Sequence, residues 1–234
     1  KLEQSAELLA KSEREGAWRE MARQVAHEIK NPLTPMKLNL QYLQHLIKSN
    51  PDDFRERFER ASAGIIEQID SLATIATEFS NFARLPGTQL KTLNLVEIVS
   101  AATSVFEGEV AVTIQHQNPD MELMILGDHD QCLRVFNNII KNAVQAVEGV
   151  GGAKIEISYT LQDSHVEVHV KDNGCGIAND LKSRIFSPNF TTKSSGSGLG
   201  LAMVKNIMEG FGGGIRFESE AGSGTTFSIR FVRA

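Results

Sequence analysis

Apolar residues recur at steps of three and four along the first 83 residues, and this spacing restricts that part of the chain to helices. One run extends from Trp18 to Ile47, and a second extends from Phe54 to Ala83. The segment Ser49-Asn50-Pro51-Asp52 between them has the composition of a turn followed by a helix N-cap. The spacing therefore predicts a helical hairpin over residues 1–85.

The apolar stripe on the two predicted helices is longer than one hairpin can cover. Two hairpins packed as a four-helix bundle would bury it, so we expect a homodimer formed through this region. A generic coiled-coil stalk would show the same spacing, and heptads alone do not separate the two alternatives.

Two prolines, Pro32 and Pro35, fall inside the first predicted helix, just after His27-Glu28. A proline in a helix interior removes a backbone donor and costs roughly 3 kcal/mol. The helical period places His27 and Asn31 together on the polar side, where Glu28 could accept an imidazole proton. We expect the prolines to make this turn deformable. The alternative for a lone histidine is an ordinary solvated surface residue.

The character of the sequence changes after residue 85, because every glycine except Gly16 and Gly64 comes later. Alternating apolar residues predict strands near 154–159 and 166–170, and a helical pattern covers 128–147. This second part predicts an α/β sandwich, with a mixed sheet and helices on one face. The expected domains are the hairpin at 1–85, a hinge linker at 86–91 and the sandwich at 92–234.

The predicted helix at 128–147 carries a polar face formed by Asn138, Lys141 and Asn142. Steps of three and four place the three side chains on one side. Amide oxygens suit Mg²⁺, which takes few protein ligands together with waters and phosphate oxygens. An ordinary polar helix face would look the same.

The segment DNGCGI, residues 172–177, directly follows a predicted strand. One interpretation is a tight turn, because Asp-Asn-Gly is a strong turn signal. The functional interpretation makes Asp172 a hydrogen-bond acceptor for an adenine amino group. In that case Gly174 and Gly176 let the backbone approach the base.

The segment GSGLG, which contributes Gly196, Gly198, Leu199 and Gly200, opens a predicted helix. Backbone donors at such a helix N-terminus suit a phosphate. The preceding loop, with Lys193 as a cationic phosphate contact, reads either as a mobile lid or as a plain surface loop. A further segment, AGSGTTF at 221–227, includes Thr226 as a candidate nucleotide contact and otherwise reads as a hairpin turn.

Composition excludes several classes of function. The formal charge is −5, from 24 basic and 29 acidic residues, with no basic block, so we expect no nucleic-acid partner. The two cysteines lack metal-ligand spacing and fit a reducing compartment, which predicts a cytosolic location. No apolar run is long enough for a membrane helix. The sequence starts at Lys1 inside a helical pattern, so we expect a segment of a longer protein. A membrane anchor elsewhere in that protein would be compatible with this expectation.

The order of these segments resembles the transmitter region of a sensor histidine kinase. HEIKNPLTP, the asparagine-rich helix, DNGCGI, FSPNFTTK, GSGLGLAMV and GSGTTF follow one another at similar spacing, and the resemblance covers essentially the whole chain. It implies a dimerisation and histidine-phosphotransfer hairpin, then an ATP-binding sandwich of the GHKL type shared with gyrase. The sequence around HEIKNPLTP and TTK is most similar to the nitrogen-regulation branch.

The resemblance also implies roles for individual residues. His27 would be the phosphoacceptor and Glu28 its general base, with Asn31 positioning the acceptor or, in a phosphatase reaction, a water. Asn142 would coordinate Mg²⁺, and the remaining nucleotide contacts would come from Asn138, Lys141, Asp172, Lys193 and the glycine-rich segments. The implied partners are ATP, Mg²⁺, a second copy of the chain and the receiver domain of a response regulator.

Two other functions compete with this one. A conformational ATPase of the gyrase or chaperone kind shares the sandwich, but such proteins carry a catalytic glutamate in the asparagine-rich helix, and residues 128–147 contain none. A non-catalytic dimeric scaffold would not need the complete set of segments.

Overall fold

The computed structural model describes residues 25–26, 29–49, 53–83, 89–106, 112–117, 119, 121–187, 190–192 and 198–234. The chain divides into two compact units, Lys1–Arg84 and Leu85–Ala234. The predicted catalytic pair His27 and Glu28, and Lys193 and Gly196 of the predicted lid, lie outside the described residues, as do residues 86–88 of the predicted hinge.

The first unit contains two long helices. Helix α1 covers residues 29–49 and continues through both Pro32 and Pro35, and helix α2 is Phe54–Ala83. Gly64 of α2 lies against α1, because a β-carbon there would come within 2.9 Å of the Asn39 side chain. The two helices therefore pack together as the predicted hairpin.

Large apolar side chains remain exposed on this hairpin. On α1, Leu33, Leu40 and Ile47 are spaced by seven residues and are 46%, 52% and 64% exposed. Phe58 and Ile69 of α2 are exposed as well. Contacts within one hairpin thus leave a heptad-spaced apolar stripe uncovered, as the sequence predicted.

The described part of the second unit contains seven strands and three helices. In chain order they are β1 (Lys91–Asn94), α3 (Leu95–Ser104), β2 (Thr113–His116), β3 (Met124–Gly127), α4 (His129–Ala146), β4 (Lys154–Leu161), β5 (His165–Asp172), α5 (Gly200–Gly210), β6 (Gly214–Glu220) and β7 (Gly224–Val232). Five strands form one sheet in the order β2-β4-β5-β7-β6. Only the β2–β4 pair is parallel, so this sheet is mixed, as predicted.

The core lies between one face of this sheet and the three helices. Alternate strand residues such as Ile155, Val168 and Ile229 are fully buried there, against Phe136 and Ile139 of α4. The opposite face carries polar pairs, including Glu167 with Arg216 at 2.8 Å. The period-two alternation in sequence therefore corresponds to one packed and one polar face.

The small antiparallel sheet formed by β1 and β3 was not predicted as a separate sheet. Each strand has only four residues, and the two are separated in sequence by α3 and β2. Single strands this short carry little periodic signal, and their pairing depends on contacts that sequence patterns do not show. The helix starts were more predictable, since Asn94 and Asp128 are side-chain N-caps of α3 and α4.

Candidate functional site

Asp172 ends strand β5 and is 3% exposed. Its Oδ1 atom accepts hydrogen bonds from the backbone N–H groups of Gly174, at 2.9 Å, and Thr225, at 3.2 Å. A nearly buried carboxylate held by two backbone donors has a fixed position. This is the local geometry that the predicted base-recognition role of Asp172 requires.

The two glycines after Asp172 allow close packing of the backbone. A β-carbon on Gly174 would collide with the carbonyl of Ala146, at the end of α4, and one on Gly176 would collide with the carbonyl of Glu220. Gly176 also has a φ of 65°, which favours glycine. The amide of Cys175 donates to the same Ala146 carbonyl at 3.0 Å. The loop is therefore fixed between α4 and the β6–β7 turn.

The sheet register separates two adjacent threonines. Asp172 pairs with Thr225, so their side chains share the core face, whereas Thr226 pairs with Lys171 and lies on the opposite, polar face. The side chain of Thr226 thus lies on the opposite face from that of Asp172, and Thr225 joins the candidate contacts. Thr225 was not predicted, although the buried Phe227 two residues later marks the core face.

Ser219 is a second residue that the sequence analysis missed. Its hydroxyl accepts a hydrogen bond from the N–H of Ile177 at 2.8 Å and lies 2.9 Å from the hydroxyl of Thr225. A continuous polar chain therefore runs from the loop after β5 through the β6–β7 hairpin to Asp172.

The polar face of α4 adjoins the start of α5. Asn138 and Asn142 are half-buried and Lys141 is exposed. A β-carbon on Gly200, the first residue of α5, would lie 2.6 Å from Oδ1 of Asn138. The fold therefore brings the asparagine-rich helix and the GSGLG segment into contact, which the sequence could only suggest by its order.

The N-terminus of α5 differs from those of α3 and α4. Its N-cap residue, Leu199, provides no side-chain hydrogen bond to the first-turn amides, whereas Asn94 and Asp128 cap the other two helices in this way. Gly198 just before it has a φ of 67°. First-turn backbone donors that the Leu199 side chain does not cap, beside Asn138, can bind an anion such as a phosphate.

The segment before the predicted lid is anchored by aromatic contacts. Phe186 packs edge-on against Phe217 of β6 at 5.8 Å, and Ile185 is buried. The guanidinium of Arg184 lies 4.7 Å from the centre of the Phe190 ring. One end of the predicted lid is therefore attached to the core of the second unit.

In the first unit, Asn31 is the one predicted catalytic residue that the structure describes. It is exposed, and so is Thr34, whose hydroxyl donates to the carbonyl of Lys30 at 3.3 Å. Val25 and Pro32 are buried. The polar side of α1 at this point thus includes Asn31 and Thr34, as the helical period predicts.

Two groups with shifted pKa values, Cys132 and Glu167, lie outside these loops. Burial raises the pKa of the Cys132 thiol, in the first turn of α4, to about 12. The hydrogen bond from Arg216 lowers the pKa of Glu167, on the polar face of the sheet. Within the described residues, no group of three or more His, Cys, Asp or Glu side chains could hold a metal ion.

Together these features fit a nucleotide better than a metal bound by protein alone. Asp172 offers an acceptor for a base, and the first-turn backbone amides of α5, which begin beside Asn138, offer donors for phosphates. Asn142, half-buried on the same helix face, fits a Mg²⁺ ion that takes most of its ligands from phosphates and water.

Comparison with known protein families identifies both units. Residues 17–87 match the family described as "His Kinase A (phospho-acceptor) domain". Residues 127–234 match the family described as "Histidine kinase-, DNA gyrase B-, and HSP90-like ATPase". The chain belongs to the sensor histidine kinases. The predicted resemblance and fold class are thereby confirmed, and the second unit is an ATPase domain of the histidine kinase type.

Curated relatives agree with this family. The sensor kinase chain is 33% identical over 213 residues to the nitrogen regulation protein NtrY of Azorhizobium caulinodans, covering 88% of this chain and 28% of that protein. It is also 33% identical over 224 residues to the signal transduction histidine-protein kinase AtoS of Escherichia coli, covering 94% of this chain and 36% of that protein. The chain thus spans about a third of the length of such relatives.

A solved structure matches both units of this histidine kinase. The crystal structure of histidine kinase ThkA in complex with response regulator protein TrrA has a TM-score of 0.71 and 25% identity, covering 95% of this chain and 64% of that chain. Within the described residues, no helix has the length and apolar character needed to cross a membrane.

Proposed function

We propose that this chain is the catalytic core of a two-component sensor. In this proposal it phosphorylates His27 with ATP and passes the phosphoryl group to an aspartate of a response regulator. The observation that carries the proposal is the contact between Asn138 of α4 and Gly200. The C-terminal end of α4 also contacts the loop that follows Asp172. One helix face thereby carries the base-binding and phosphate-binding parts of a nucleotide site.

The described residues supply the binding part of the reaction. Asp172 accepts a hydrogen bond from the adenine amino group, and Thr225 supports it through its backbone N–H. Gly174 and Gly176 let the loop after Asp172 pack closely against α4 and the β6–β7 turn, while Asn138, Lys141, Gly198, Leu199 and Gly200 surround the phosphates. Lys193 and Gly196 complete this set from the lid. A bound Mg²⁺ at Asn142 would neutralise part of the phosphate charge.

The chemical step lies at His27. A neutral ring nitrogen attacks the γ-phosphorus, the new P–N bond forms as the bond to the ADP oxygen breaks, and Glu28 accepts the ring proton. Asn31, exposed on α1, orients the acceptor or, in hydrolysis of a phosphorylated regulator, a water. Residues 86–91 act as the hinge that lets the nucleotide approach the histidine.

Exposed apolar residues support the homodimer in this proposal. The stripe Leu33, Leu40 and Ile47 is the type of surface that a second hairpin would bury. The likeness to ThkA, solved with its response regulator, supports a receiver domain as the second partner. The predicted cytosolic location stays a prediction.

The test is incubation with radiolabelled ATP and Mg²⁺, for wild type, His27→Gln and His45→Gln. His45 is an exposed histidine on α1 and serves as the matched control. We expect label on wild type and His45→Gln that survives alkali and is lost in acid, and none on His27→Gln. ATP turnover without protein label would indicate a conformational ATPase instead. Neither label nor turnover, with an intact dimer, would indicate a scaffold.

A further inference from the structure

The contacts of helix α4 indicate in which direction a bound nucleotide would extend. At its C-terminal end, the Ala146 carbonyl accepts from Cys175 in the loop that follows Asp172. Two turns closer to the N-terminus, Asn138 meets the first residue of α5. If Asp172 binds the base and the start of α5 binds phosphate, the triphosphate extends toward the N-terminal half of α4.

Arg134 is the next residue on this part of α4 toward the helix N-terminus. It lies four residues before Asn138, one turn toward the helix N-terminus, and Arg134, Asn138, Asn142 and Ala146 form a stripe that turns by about 40° at each step. Its backbone carbonyl accepts a hydrogen bond from Nδ2 of Asn138 at 2.9 Å. The side chain is half-buried, and helical side chains lean toward the helix N-terminus.

The terminal phosphate is the part of ATP farthest from the base, and Arg134 is the stripe residue farthest from the base-binding loop. We propose that Arg134 contacts the γ-phosphate of bound ATP and so distinguishes ATP from ADP. This inference rests on the proposed function of the site. A guanidinium suits the role because it stays charged and can form two parallel hydrogen bonds with phosphate oxygens.

Lys141 cannot take this role from the same helix. It is exposed and lies two turns closer to the base-binding end, beside Asn142. Its position fits the middle of the triphosphate, which ATP and ADP share. The two cations on this side of α4 therefore predict different nucleotide preferences when they are removed.

The experiment compares the affinities of a non-hydrolysable ATP analogue and of ADP, measured by calorimetry with Mg²⁺ on the full 234-residue chain. The variants are Arg134→Met and Arg134→Lys, with Arg230→Met, an exposed arginine on the polar face of the sheet, as the control. For Arg134→Met we expect about a 10-fold loss of affinity for the ATP analogue and less than about a 2-fold change for ADP. Arg134→Lys should lose less.

Retained ADP binding by Arg134→Met shows that the variant is folded and that the site exists. An equal loss for both nucleotides would overturn the inference, because Arg134 would then act on the whole site or on its structure. Unchanged affinity for both would overturn it as well. Failure of the wild-type chain to bind either nucleotide would instead contradict the proposed function.

Discussion

The backbone N–H of Thr225 donates a 3.2 Å hydrogen bond to the carboxylate of Asp172, across the pair β5 and β7. This bond joins two segments separated by more than 50 residues, the loop after β5 and the β6–β7 hairpin. It fixes the acceptor in the proposed base site independently of the lid. The base-binding end of the site is therefore part of the sheet and not of a loop that must close.

The role of Asp172 predicts that Asp172→Asn weakens nucleotide binding more than folding. An asparagine oxygen can still accept from Gly174 and Thr225, but an amide replaces the second carboxylate oxygen. We expect about a 10-fold or larger loss of ATP affinity, since hydrogen bonds to charged groups contribute roughly 1.5–3 kcal/mol. Calorimetry with Mg²⁺ and ATP measures the loss.

Asp163→Asn is the control for this change, because Asp163 is exposed in the β4–β5 turn. It should bind ATP like the wild type. Wild-type affinity in Asp172→Asn, or an equal loss in both variants, would remove Asp172 from the site.

The contact between Gly200 and Asn138 predicts a loss of binding without a comparable loss of stability. Alanine normally stabilises a helix relative to glycine, by about 1 kcal/mol. At Gly200 the new β-carbon would displace the Asn138 amide, which is the flexible end of a side chain. We expect the free energy of unfolding of Gly200→Ala to stay within about 1 kcal/mol of wild type, while ATP affinity falls several-fold, or roughly 1 kcal/mol.

Gly210→Ala, at the other end of the same helix, is the matched control. Nothing lies within 4 Å of a β-carbon there. It should raise the free energy of unfolding in urea and leave ATP affinity unchanged. Equal ATP affinities in the two variants would mean that the start of α5 does not contact the nucleotide.

The residues of this site show which features a sequence can predict. Asp172, Asn138 and the GSGLG segment were found because a turn signal, a helical period and a glycine cluster are local patterns. The choice between Thr225 and Thr226 depends on the strand register, since a shift of one residue moves a side chain to the other face. Ser219 entered the site only through tertiary contacts, with Ile177 and Thr225.

The same distinction applies to the fold. Helix α4 has a side-chain cap and a long apolar face, so the helical pattern at 128–147 predicted the helix His129–Ala146 from local sequence. The β1–β3 sheet depends on pairing between two four-residue strands far apart in sequence. The apolar stripe of the hairpin was visible in sequence, but its exposure after the hairpin forms required the structure.

The exposed stripe predicts that charge on α1 separates the dimer. Leu40→Asp with Ile47→Asp places two carboxylates where a second hairpin would pack, and unpaired buried charges are strongly unfavourable. We expect light scattering to show a monomer for this variant and a dimer for wild type. The control is Gln41→Asp with Lys48→Asp, at exposed polar positions one residue further along, which should remain dimeric. A dimer in both variants would place the interface elsewhere.

The β6–β7 turn predicts two different costs for similar glycine substitutions. Gly222 and Gly224 both have positive φ values, 81° and 95°. A β-carbon on Gly222 meets nothing within 4 Å, whereas one on Gly224 would collide with the carbonyl of Asp172. We expect Gly222→Ala to cost about 1 kcal/mol of unfolding free energy from backbone strain alone, and Gly224→Ala about 2–4 kcal/mol. Urea unfolding followed by circular dichroism measures both, and equal costs would contradict the predicted collision.

The buried thiol of Cys132 predicts a loss of stability at alkaline pH. Burial raises its pKa in the folded chain from the ordinary 9.0 to about 12, so the folded state keeps the proton over a range in which the unfolded state loses it. The neutral thiol therefore contributes fully below about pH 9, and that contribution falls by at most about 1.4 kcal/mol per pH unit as the pH rises toward 12.

Cys132→Ala removes this dependence, so the difference in unfolding free energy between wild type and Cys132→Ala should shrink above pH 9. Cys175→Ala, at an exposed thiol, is the control and should follow the wild-type pH dependence. If wild type and Cys132→Ala lost stability in parallel across this range, burial of the thiol would not be what shifts its titration.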